Sequence, residues 1–181
     1  MVGERNICDE VRNTAGVEAV SLNDVKLEEG ETIESIIGKV DKSIDGVLMG
    51  YDFNFNYAKI CYISLTLQQP GVFFLGTNPD KFTMIGGYKM PGNGSMLACL
   101  EEASQRKAEV CGKPNPFILK HVMEERGIAA KDCLMIGDNL NTDIKFAINS
   151  GVDSLCVLTG NTDEAEVLEQ KLPTYYAERL L

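Results

Sequence analysis

The run LMIGDNLNTDI, residues 134–144, sets Asp138 directly behind an apolar stretch and Asp143 five positions later, where a helical pattern begins. A carboxylate at the end of a buried strand can ligate a hard cation such as Mg²⁺, which takes oxygen ligands and keeps several waters. A second carboxylate one turn on could hold a metal-bound water or brace a basic side chain. The basic candidate is Lys113 in GKPNP, residues 112–116, behind a second short apolar stretch at 108–111. A lysine beside a cation neutralises phosphate oxygens as charge develops on them. Each residue also has a plainer use. Asp favours turns and helix starts, Asp143 suits the positive end of a helix dipole, and GKP alone reads as a turn. Their order behind alternating strands is what favours a shared site.

Those residues need elements to position them. Residues 108–111 read as a strand. Asn115 is a good N-cap and Pro116 a good first helical residue. Ile118 with Val122, and Leu119 with Met123, pair at helical spacing up to Gly127. A strand at 133–136, a helix from Thr142 to Gly151 and a strand at 154–158 follow. This β-α-β-α-β order predicts an α/β fold with a parallel, doubly wound sheet and right-handed crossovers. Ligands bind beyond the carboxyl ends of such strands, and adjacent strands would bring Lys113 and Asp138 together. Upstream, helices are expected at 5–15, 56–67 and 95–107, and strands at 46–51 and 72–77. Residues 22–32 read as a polar acidic loop, and 78–94, with four glycines and two prolines, as loop-rich.

The chain has 181 residues, 44% of them hydrophobic, enough for one domain or two small ones. A net charge of −10 with no basic block argues against a nucleic-acid partner. No apolar run is long enough to span a bilayer. The opening MVGERNICDE lacks an apolar signal segment, so no membrane association and a cytoplasmic location are expected. Six cysteines include no C-x-x-C pair and read as reduced core residues. The single histidine, His121, makes a His-rich metal site or a Ser-His-Asp triad a poor fit.

GKPNP followed by MIGDNLNTDI resembles the third and fourth motifs of haloacid dehalogenase-type phosphatases. The segments GVLMGYDFNFNYAKI, FLGTNPD, PGNGSM and VLTG fall in the order found in that superfamily's 4-nitrophenylphosphatase, phosphoglycolate phosphatase and pyridoxal phosphatase group. The resemblance runs along nearly the whole chain. It implies an α/β cap domain at 1–107 and the C-terminal half of a Rossmann-like parallel-sheet core at 108–181. It implies hydrolysis of a small-molecule phosphate ester through an aspartyl-phosphate. Lys113 would be the catalytic lysine, Asp138 a Mg²⁺ ligand and Asp143 its supporting carboxylate. The stretch Thr77–Gly87 would be the cap's specificity loop, with Asn78, Asp80, Lys81 and Phe82 offered to substrate. Lys81 would favour a second anion and Phe82 a ring; the plainer alternative leaves Lys81 solvated and packs Phe82 inside the cap. A homodimer formed through the cap is the expected assembly.

The same family places its nucleophile and its general acid in an Asp-x-Asp-Gly motif, with a phosphate-binding Ser or Thr after the next strand. None of the eleven aspartates here forms Asp-x-Asp. Asp52 follows an apolar strand but lies in the cap-like part, where a turn or boundary residue is the expectation. The chain therefore reads as a cap plus half a core, without a nucleophile and inactive alone. A core sheet short of its central strands would expose an apolar edge and invite self-association. The alternatives are a non-catalytic binding or dimerisation module built on the cap and, less well matched, a receiver-like phospho-acceptor domain.

Overall fold

The computed structural model describes residues 1–3, 5–25, 27 and 30–180. They form two compact units, Met1–Val110 and Cys111–Leu181. The division falls after Val110 rather than after residue 107, because strand β5 (Glu109–Val110) pairs with a strand of the first unit.

In the first unit, β1 (Gly46–Met49) and β2 (Phe73–Gly76) run parallel, with β5 on the far side of β2. Helix α1 (Arg5–Ala15) matches the expected span. Helix α2 (Ile33–Lys39), not expected from the sequence, is capped by the Thr32 side chain accepting from the Ser35 amide at 3.2 Å. Of the acidic loop expected at 22–32, residues 26, 28 and 29 lie outside the described residues. Asn56 caps α3 (Tyr57–Leu67) in the same way, through the Lys59 amide. Helix α4 (Asn93–Ser104) comes after β2 and the stretch 77–92 that follows it. Apolar faces of these elements meet in a core built on Val47, Met49, Ile63, Leu67, Phe74, Leu97 and Leu100. Fully burying one such side chain contributes roughly 1.5–3 kcal/mol.

The stretch expected to be loop-rich is instead largely a hairpin, β3 (Phe82–Ile85) paired antiparallel to β4 (Tyr88–Pro91). Its turn is Gly86–Gly87, with φ of 59° and 83°. A two-residue turn with both φ positive matches the twist of the flanking strands, and two glycines adopt it without steric cost. The signal was present as two four-residue runs separated by Gly-Gly.

The second unit contains β6 (Leu134–Gly137), β7 (Asp153–Val157) and β8 (Tyr175–Ala177), all parallel in that order. The strand before Lys113 therefore does not neighbour β6 as expected; β5 belongs to the first unit's sheet. The expected doubly wound sheet is thus two separate three-stranded parallel sheets, one in each unit. Helix α5 (Phe117–Arg126) ends at Gly127 as expected, but its cap is Pro116, one residue later than Asn115. None of its residues is fully buried: Leu119 and Met123 are half-buried, while Phe117, Ile118 and Val122 are exposed. Strand β6 is an edge, with Leu134 and Ile136 also exposed. A wide turn at Leu140–Ile144 leads into α6 (Lys145–Ser150), which closes at Gly151. Helix α7 (Glu164–Gln170) starts with a capping box between Asp163 and Glu166. Leu140, Ile144, Cys156 and Val167 form this unit's core.

Candidate phosphate and metal site

Three sequence-selected residues meet in the second unit. The Lys113 ammonium donates to Asp143 Oδ1 at 2.6 Å. Asp143 Oδ2 accepts from the backbone amides of Asp138 and Asn139, at 3.1 and 3.2 Å. Asp143 is buried, whereas half of the Lys113 side chain remains exposed. Gly137 permits this arrangement, because a Cβ there would stand 2.3 Å from Asp143 Cβ. The Asn139 side chain accepts from the amides of Asn141 and Thr142 and so starts the wide turn that carries Asp143 inward. Of the two uses offered for Asp143, the structure displays the brace on Lys113.

Asp138 lies at the carboxyl end of β6 and is half-buried. Its Oδ2 accepts from the backbone amide and the side-chain amide of Asn161, at 2.8 and 2.7 Å. Its Oδ1 accepts no hydrogen bond from the described residues. Magnesium is commonly held by one or two carboxylates plus waters and substrate phosphate, and an uncommitted carboxylate oxygen in a half-exposed loop fits it in kind. No cluster of three or more His, Cys, Asp or Glu able to hold a metal occurs among the described residues. Nearby Cys156 is buried, and its thiol is held above its usual pKa by burial and then by the negative charges of Asp138 and Asp143. It stays protonated near neutrality and makes a poor nucleophile.

The other four candidates belong to the first unit. The Asn78 amide donates to Asp80 Oδ2 at 2.8 Å, and Asn78 Oδ1 accepts from Thr77. The start of α4 grips this loop. Asn93 donates to the Asn78 carbonyl at 2.9 Å, and the Gly94 amide donates to the Asp80 carbonyl at 2.8 Å. A Cβ on Gly94 would stand 2.1 Å from the Pro79 carbonyl oxygen. Lys81 is exposed, and Phe82 is exposed rather than packed inside, with the Lys89 ammonium 4.6 Å above its ring.

Asp52 opens the turn to Phe55, as expected, its carbonyl accepting from the Phe55 amide at 3.2 Å, but it is not available for attack. It is fully buried, its Oδ2 2.6 Å from the Lys59 ammonium and its Oδ1 accepting from the Asn54 amide. Lys59 also donates to Asn23 Oδ1 at 2.6 Å. Sequence reasoning missed Lys59, Lys89, Gly160 and Asn161. The last two follow β7, and the rule that picked out Asp138 behind β6 applies equally behind the neighbouring strand.

The HAD-hydrolase-like family model matches residues 110–181. The chain is similar to a 4-nitrophenylphosphatase of Schizosaccharomyces pombe, 35% identical over 99% of this chain and 62% of the relative. It is 38% identical to phosphoglycolate phosphatase 2 of Arabidopsis thaliana, over 75% of this chain and 47% of that one. A glycerol phosphate phosphatase of Mycobacterium tuberculosis, solved in complex with magnesium, superimposes with a TM-score of 0.69 at 29% identity, covering 75% of this chain and 41% of that one. The chain spans about half the length of the curated relatives it matches. These likenesses, with the motif order and the parallel α/β units, show residues 110–181 to be haloacid dehalogenase-like, in a chain that is similar along nearly its whole length to phosphatases.

Proposed function

We propose that this chain supplies the cap and the metal-binding half of the core of a Mg²⁺-dependent phosphomonoester hydrolase. The first unit is read as the cap and the second as the C-terminal half of the core. One observation carries the proposal: Asp143 holds Lys113 by one oxygen and the Asp138 loop by the other. Lysine and metal-ligand candidate are thereby displayed together at the end of β6.

In this reading Lys113 neutralises the phosphoryl oxygens, Asp143 aims Lys113, and Asp138 holds the cation through its uncommitted oxygen. Bound Mg²⁺ supplies positive charge that polarises the phosphoryl group and orients the ester. The nucleophile that forms the aspartyl-phosphate is an Asp-x-Asp residue outside these 181. The chain alone is then inactive. The partner is a small phosphate ester, and the net charge of −10 supports no nucleic-acid partner. No helix among the described residues is long and apolar enough to cross a membrane, and the reading places the protein in the cytoplasm without membrane partners. A second copy, docked through the first unit, completes the assembly; the exposed apolar side chains of the β3–β4 hairpin support it.

Exposed Lys81, beside a loop anchored by α4, favours a substrate with a second negative charge. The test joins the Asp-x-Asp-bearing segment of a matched phosphatase to this chain and assays phosphate esters. Lys81→Ala in the joined protein should lower kcat/KM for phosphoglycolate relative to 4-nitrophenyl phosphate, by about 1 kcal/mol or fivefold, the size of a partly exposed charge contact. An unchanged ratio would show that Lys81 does not read the second charge.

A further inference from the structure

We propose that Asn161 is a positioning residue for Asp138, fixing its carboxylate so that Oδ1 faces outward to a divalent cation; this rests on Asp138 being the cation ligand. Strands β6 and β7 are registered neighbours, with Gly137 opposite Cys156, so the loops leaving their carboxyl ends run side by side. From the second loop, the backbone amide and the side-chain amide of Asn161 both donate to Asp138 Oδ2, at 2.8 and 2.7 Å. Two donors converging on one oxygen set the carboxylate plane and leave the other oxygen uncommitted. Gly160 provides the room, since a Cβ there would stand 1.8 Å from that Oδ2. Buried Thr162 helps tie the loop down by accepting from the Leu140 amide at 3.4 Å.

The chemistry of the clamp favours a cation. Arginine or lysine at 161 would hold the carboxylate equally well but would cancel its charge. Asparagine orients the carboxylate and leaves its full negative charge available. Asn161 is itself exposed and fills no part of the core. Partners that orient a metal ligand typically contribute about 10–100-fold in metal affinity.

The test titrates Mg²⁺ into the isotopically labelled 181-residue chain and follows the backbone amides of Gly137, Asp138 and Asn139 by NMR, with thermal unfolding alongside. The wild type should show saturable shifts that Asp138→Asn abolishes. Asn161→Leu should weaken binding about tenfold with an unchanged unfolding midpoint. Gly160→Ala keeps every donor but displaces the carboxylate, and should weaken binding similarly. It carries the test if Asn161→Leu fails to fold. Wild-type affinity in Asn161→Leu, or in Gly160→Ala should the first unfold, overturns the positioning role and leaves Asp138 as the ligand. No saturable response in the wild type, or an unaltered response in Asp138→Asn, removes Asp138 as the ligand and the role of Asn161 with it.

Discussion

Lys113→Met in the joined protein should lower kcat/KM for 4-nitrophenyl phosphate by about 10²–10³-fold, the usual cost of removing one preorganised charge donor from a transition state. The geometry explains why the loss should fall on rate. Asp143 Oδ1 holds the ammonium at 2.6 Å, and the same carboxylate pins the loop that carries Asp138. Half of the lysine side chain is exposed, so its ion pair should contribute only about 0–1 kcal/mol to folding. Kinetics and chemical unfolding of the same variant thus separate the two roles. A large rate loss with little change in stability is expected. A stability loss matching the rate loss would make Lys113 a structural residue. Lys113→Arg should recover activity only in part, because a planar fork does not reproduce a compact ammonium.

Asp52→Asn should destabilise the first unit by about 3–5 kcal/mol, because it leaves the Lys59 ammonium buried without a countercharge. Both side chains are nearly inaccessible, and in the variant the side-chain acceptors left to Lys59 among the described residues, Asn23 and the new amide, are neutral. Replacing both residues, Asp52→Leu with Lys59→Met, removes the two desolvation costs together and should recover most of that loss. Urea unfolding of the 181-residue chain reads both effects. A single variant within about 0.5 kcal/mol of wild type, the range of ordinary surface substitutions, would show that water reaches the pair.

Much of this molecule was legible from local signals. The apolar run expected as a helix over 56–67 is α3, with Asn56 as its cap, and Gly127 and Gly151 marked two helix ends with φ of 63° and 74°. Lys113, Asp138 and Asp143 were found because strand ends are where parallel sheets place ligands, and the structure brings the three together. What failed was longer in range. Whether residues 109–110 pair with β2 or with β6 depends on sheet assembly, and a two-residue strand carries almost no register information. Helical spacing on α5 showed that one face is apolar, not how deeply it is buried: Leu119 and Met123 are half-buried and Ile118 and Val122 exposed. The Asp52–Lys59 pair was missed because the strand-end rule treats Asp52 in isolation, while its partner lies seven residues away on α3. The β3–β4 hairpin is hidden for a different reason: the glycine and proline content of the stretch suits a loop, whereas the adjacent pair Gly86–Gly87 between two four-residue runs suits a hairpin turn.

The most direct measurement is Mg²⁺-dependent hydrolysis of 4-nitrophenyl phosphate by three proteins: the 181-residue chain, the joined protein, and the joined protein carrying Asp138→Asn. The chain alone should remain at background with and without Mg²⁺. The joined protein should turn over only with Mg²⁺, and Asp138→Asn should remove at least about 10²-fold of that rate, as expected for loss of a catalytic metal's carboxylate ligand. Mg²⁺-dependent turnover by the chain alone would reveal a nucleophile within these residues. A wild-type rate in the Asp138→Asn protein would mean that the end of β6 is not where the cation and the phosphate meet.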